Sequence, residues 1–82
     1  MYVFHSDPGH AWLAVKRKEL MRLGILDKIT NFSYQKGGTI YLEEDYDAGI
    51  FLKAKKEIGE EVEYRESFQE HTPIRNYEKI NS

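Results

Sequence analysis

Two glycines stand side by side at Gly37-Gly38, between the alternating segments Asn31–Gln35 and Thr39–Glu43, and this pairing does most to limit the fold. Glycine accepts the positive φ of a tight reversal, and each flanking segment alternates apolar with polar residues at a period of two. The stretch Asn31–Glu43 therefore reads as a β-hairpin turning at Lys36-Gly37-Gly38. Its alternation puts Phe32 and Tyr34 on one face of the first strand, and Ile40 and Leu42 on one face of the second. A second reversal, Asp7-Pro8-Gly9, separates the apolar stretches Tyr2–Phe4 and Ala11–Val15. There proline fixes φ and glycine takes the conformation other residues avoid, so a strand, a tight loop and another strand are expected.

Between and after the hairpins the period changes. Leu20, Leu23 and Met21 sit at helical spacing opposite Lys16, Arg17, Lys18 and Arg22, with Gly24 placed to end the helix; Ile25–Ile29 can add a further turn. Ala48, Phe51, Leu52, Lys55 and Ile58 keep to the i, i+3, i+4 rule, with Gly59 as the stop and Asp45 or Asp47 as the cap. Val62, Tyr64 and Phe68 alternate with Glu61, Glu63 and Arg65, which predicts a half-buried strand. Pro73 interrupts the regular pattern, and Ile74–Ile80 reads as a short edge strand or a packed tail. The expected architecture is one α+β domain over residues 1–82, in the order ββαββαβ, with a mostly antiparallel sheet of about five short strands and two helices. Trp12 is expected to anchor the core.

A chain of 82 residues is too short for a two-domain enzyme built on a dinucleotide-binding fold. Without cysteine it has no disulfide framework, thiolate zinc site, iron–sulfur cluster or cysteine nucleophile. No basic stretch with an apolar run behind it opens the sequence, and no apolar run approaches the roughly 18–20 residues that span a bilayer. No membrane partner and a cytoplasmic location are therefore expected. The net charge is −2, but residues 1–41 carry six basic and three acidic groups, whereas residues 42–82 carry six basic and eleven acidic ones. Such asymmetry can steer a partner. The basic stretch Lys16-Arg17-Lys18 with Arg22 has neighbours too acidic for strong nonspecific nucleic-acid binding, so nucleic acid is not the expected partner.

Two segments carry candidate chemistry. In His5-Ser6-Asp7-Pro8-Gly9-His10, turn N–H groups, a hydroxyl and two imidazoles suit contacts to an anion, with Tyr34 and Arg75 as supports. The candidate ligand-binding residues are thus His5, Ser6, Asp7, Gly9, His10, Tyr34 and Arg75. The competing account is a plain turn in which Ser6 or Asp7 bonds neighbouring backbone. The run Glu43-Glu44-Asp45-Tyr46-Asp47 offers four carboxylates, Glu43, Glu44, Asp45 and Asp47, as an acidic surface for a protein partner. Capping and the helix dipole account for the same run without any partner. Neither segment has a recognised metal-ligand spacing, and no nucleophile elbow surrounds Ser6, so no metal, cofactor or catalytic residue is assigned.

The strings His5-Ser6-Asp7-Pro8-Gly9-His10-Ala11-Trp12-Leu13, Leu23-Gly24-Ile25 with Asp27-Lys28-Ile29, Ser33-Tyr34-Gln35 and Tyr41-Leu42-Glu43-Glu44-Asp45 resemble a family of small proteins of bacteriophages and other mobile elements. The resemblance runs from about Phe4 to Leu52 and reaches weakly to Ile74-Arg75-Asn76-Tyr77. It brings a setting rather than an activity: an accessory protein made inside a bacterium. What it implies is a non-enzymatic binding protein that modulates or inhibits a host process, defence included, by holding a host protein or a small nucleotide-like ligand. On that reading His10→Ala or Asp7→Ala abolishes binding and leaves the fold largely intact. The alternatives are a small metal-dependent hydrolase or nuclease using His5, Asp7, His10 and the acidic run, and a regulatory or structural homodimer joined through an edge strand.

Overall fold

The computed structural model describes residues 1–80. Its elements are β1 (Tyr2–Ser6), β2 (Ala11–Lys16), α1 (Arg17–Arg22), β3 (Tyr34–Lys36), β4 (Thr39–Glu43), α2 (Asp47–Glu57), β5 (Tyr64–Phe68) and β6 (Glu78–Lys79), with 3₁₀ turns over Leu26–Lys28 and Pro73–Asn76. The strands form one mixed sheet in the order β5-β1-β2-β4-β3-β6. The coarse α+β expectation holds, and the strand count and pairing differ from it. There are six strands among the described residues, and β5 pairs parallel with β1 while every other neighbour is antiparallel. The reason is the β4–α2–β5 connection. A helix carries the chain back along the sheet, so the strand after it runs in the same direction as the strand before it.

Both reversals form, but Gly9 does not take the left-handed conformation expected of it; the Asp7-Pro8-Gly9 loop turns without a positive φ. Gly37 lies at φ 60° between β3 and β4, and Gly24 and Gly59 lie at φ 71° and 74° just beyond the two helices, where a left-handed residue turns the chain so that the next N–H groups satisfy the last carbonyls. The expected cap of α2 does not form. Tyr46 holds the cap position without a side-chain bond, and Asp47 begins the helix with its carboxylate buried. That carboxylate accepts the Thr30 N–H and hydroxyl at 2.8–3.1 Å and the Ser33 hydroxyl, tying the loop before β3 to the helix start.

Register sorts the strand side chains onto two faces. Phe4, Leu13 and Leu42 pair across β1, β2 and β4, as do Val15 and Ile40, and this face packs against Leu20, Ala48 and Phe51 of the helices to form the core. Under one end of it the Lys55 ammonium lies between Glu19 at 2.9 Å and Glu60 at 2.6 Å, while the Tyr2 hydroxyl donates to Glu19. The carboxylates of Glu60 and Glu19 hold the Lys55 ammonium well above its ordinary value. Several expected core positions lie outside: Met21, Leu52, Ile58, Tyr64 and Phe68 are exposed, and Phe32 precedes β3 and is exposed too. For Tyr64 and Phe68 the cause is position, because β5 is the sheet edge.

Among the described residues the second face carries no α-helix. Trp12 belongs to it and not to the core cluster, yet Trp12 is only 2% exposed. The chain between β5 and β6 must cross from one sheet edge to the other, and it does so over this face as a strap through Pro73–Asn76. Thr72 and Ile74 of this segment are buried, and the Arg75 guanidinium sits 5.5 Å over the Trp12 ring.

Candidate functional site

The strap is fastened by one carboxylate. Asp7 Oδ1 accepts the Gly9 and His10 N–H groups at 2.9 and 3.0 Å, which closes the loop between β1 and β2. The same carboxylate receives Arg75 Nε at 2.6 Å and Nη2 at 2.9 Å, a two-pronged ion pair, and the Thr72 hydroxyl at 3.4 Å. The Arg75 bonds, reinforced by the loop N–H groups, hold the Asp7 carboxyl well below the usual carboxylate range against the opposing effect of burial. A Cβ at Gly9 would meet Arg75 Nη2 at 3.0 Å, so glycine lets the loop approach the guanidinium closely. Asp7 is thus buried and spoken for. Asp7→Ala would remove these bonds to both loop and strap, so a loss of stability is expected of it beside any loss of binding.

Beside this clamp lies a cleft of about 330 Å³, within the size range of small-ligand sites. Trp12, Tyr34 and His10 bring rings to it. Trp12 and Tyr34 meet edge to face at 6.2 Å, and His10 lies 5.9 Å from Trp12. Phe32 and Tyr46, both more than half exposed, stand at the rim. The polar lining is Glu43, Asp45, Arg75 and Lys79, the last with its ammonium 5.6 Å over the Tyr34 ring. Glu43 is nearly buried and its two oxygens accept the Asp45 N–H at 2.7 and 2.9 Å, which fixes the turn that carries both acids into the wall. Two carboxylates, two cations and the faces and edges of aromatic rings thus meet in one hollow. Such a hollow can hold a flat, hydrogen-bonding ligand that also carries negative charge.

Of the residues singled out in the sequence, His10, Tyr34 and Arg75 converge here, joined by Glu43 and Asp45 from the acidic run. Asp7 and Gly9 stand behind Arg75 as supports. His5 does not reach the cleft; its ring lies 5.8 Å from Tyr41 on the neighbouring part of the same face, where burial and Arg65 lower its basicity. Ser6 ends β1, opposite Ala11 and Phe68. The acidic run is split. Glu43 and Asp47 are buried in hydrogen bonds, so Glu44 and Asp45 alone face water, too few for the expected four-carboxylate surface. Among the described residues no three His, Asp or Glu side chains converge as a metal ion requires. Among them, too, no helix is long and apolar enough to cross a membrane. Trp12, Phe32, Tyr46 and Lys79 were not singled out as site residues. Their only local signal is aromatic or cationic character near a strand end, because the strap and the β3–β6 pairing bring them together from distant parts of the chain.

Compared with known protein families, with curated proteins and with solved structures, the chain finds no match in any of the three. Its own residues carry the functional reading.

Proposed function

We propose that this chain is a small non-enzymatic binding protein of phage type that holds a nucleotide-like ligand in the cleft, and by doing so modulates or inhibits a host process, defence included, in the host cytoplasm. The observation that carries the ligand is the cleft composition. The Tyr34 and His10 rings, backed by the buried Trp12, offer a base its stacking surface, Glu43 and Asp45 offer acceptors to ring N–H and amino groups, and Lys79, beside the Asp7-paired Arg75, offsets phosphate charge. The phage setting rests on the sequence resemblance alone. A ligand of this kind is favoured over a host protein because two of the four carboxylates of the acidic run, Glu43 and Asp47, are turned inward. It is favoured over hydrolysis because His5, Asp7 and His10 do not meet: Asp7 is bound to Arg75, and His5 lies against Tyr41.

Calorimetric titration with adenosine and guanosine 5′-monophosphates tests this reading. At least one of them is expected to bind with one-to-one stoichiometry, and Tyr34→Ala is expected to weaken it about tenfold, as loss of one stacking surface does. Absence of heat up to millimolar nucleotide, or an affinity untouched by Tyr34→Ala, contradicts it.

A further inference from the structure

Beyond the cleft, the open face of the sheet has a composition that its position does not require. Strand positions on this face are Val3 and His5 of β1, Trp12, Ala14 and Lys16 of β2, Tyr34 and Lys36 of β3, Thr39, Tyr41 and Glu43 of β4, Arg65 and Ser67 of β5, and Lys79 of β6. Every strand cation, Lys16, Lys36, Arg65 and Lys79, is therefore on the open side. Of the strand acids, Glu66 and Glu78 are on the helix side, and Glu43 is at the far end in its own hydrogen bonds.

Across the middle of this cationic face runs a row of rings. His5 meets Tyr41 at 5.8 Å and Tyr41 meets Tyr77 at 5.2 Å, inclined at 61° and 54°, so none is stacked flat on its neighbour. Ala14, on the strand between β1 and β4, carries only a methyl group and leaves room for the first approach. A hollow of about 320 Å³ opens there over His5, Ala14, Lys16 and Tyr41, with Glu19 at its edge engaged by Tyr2 and Lys55. The Lys36 ammonium stands 4.8 Å over the Tyr77 ring, and Lys16 reaches Thr39 at 3.5 Å.

We infer that this open face is a stacking platform for single-stranded nucleic acid, in which Tyr41, Tyr77 and His5 meet bases while Lys16, Lys36 and Arg65 meet the phosphates. Charge complementarity selects the occupant. A polyanion with exposed flat bases satisfies rings and cations together, whereas a duplex keeps its bases stacked inside and offers the rings nothing. Along the chain, the acidic neighbours of Lys16-Arg17-Lys18 and Arg22 speak against such a partner. Folding changes that by sorting the strand charges onto opposite faces. The platform stands apart from the cleft, since none of Tyr41, Tyr77, His5, Lys16, Lys36 or Arg65 lines it.

Fluorescence anisotropy with a labelled twenty-nucleotide oligothymidylate tests it. Binding is expected at low salt, and three phosphate contacts imply an affinity that falls about twentyfold between 50 and 200 mM salt. Tyr41→Ala is expected to weaken binding about tenfold. Because Tyr41 is half-buried, a second comparison uses exposed residues only. The pair Lys16→Glu with Lys36→Glu is expected to lose binding more than tenfold, whereas Lys53→Glu with Lys56→Glu, an equal change of charge on α2, leaves it within twofold. No anisotropy change with the unaltered protein, equal losses from the two charge pairs, or equal affinity for a duplex of the same length overturns the inference.

Discussion

Asp7 accepts from a loop and a strap that are separated by most of the chain. Gly9, His10, Thr72 and Arg75 all donate to it, and Arg75 lies 68 positions away in sequence. A carboxyl whose folded-state value lies below its unfolded one adds stability above the unfolded value, about 4, and that stability fades as pH falls through the folded value. Asp7→Asn, which removes the charge and keeps the size, is therefore expected to lower the melting temperature at pH 7 by about 5–10 °C. The gap should narrow as the pH is taken from 4 toward 2. Thermal melts at several pH values check this; equal melting at pH 7, or a gap that widens in acid, contradicts it. The local half of this arrangement was legible in the sequence, because Asp-Pro-Gly is a turn whose aspartate bonds the next N–H groups along the chain. The Arg75 half had no local signal. Asp47 teaches the converse: it stands where a cap belongs, and the Thr30 and Ser33 hydroxyls compete successfully for its carboxylate.

Among the elements, those legible in the sequence are the ones that short-range chemistry decides. Gly37 fixes the β3–β4 hairpin, Asp7-Pro8-Gly9 fixes β1–β2, and Gly24 and Gly59 end the helices. The parallel seat of β5 and the two-residue β6 depend on where distant backbone offers free hydrogen-bonding groups, and alternation within Tyr64–Phe68 says nothing of that. The strap is the element with most bearing on the site, because it roofs Trp12 and delivers Arg75 to the cleft. Its buried anchor is Ile74, only 2% exposed. Ile74→Ala is expected to cost about 2–4 kcal/mol, and to shift the emission of Trp12 to the red as water reaches the indole. Urea unfolding monitored by the fluorescence of this single tryptophan reads both; a loss under about 0.5 kcal/mol with unchanged emission means that the strap is not held this way.

The molecule as a whole has one face closed by helices and another left to rings, cations and a strap. The sequence revealed an uneven charge distribution, basic early and acidic late, but that division along the chain is not the one that matters in space. Strands alternate their side chains, so neighbours in sequence part company and the strand cations gather from four segments onto one face. For the same reason the cleft was legible only in pieces, as His10, Tyr34 and Arg75, without the walls that join them. The central claim is that this cleft holds a nucleotide-like ligand. Its most direct test is a titration of isotope-labelled protein with guanosine and adenosine 5′-monophosphates, read at the backbone amide and Trp12 indole resonances. Saturable shifts are predicted at the Trp12 indole and at the amides of Tyr34, Asp45 and Lys79, with the amides of Lys53 and Lys56 on α2 unmoved. Resonances that stay in place at millimolar nucleotide, or shifts confined to α2, contradict the claim.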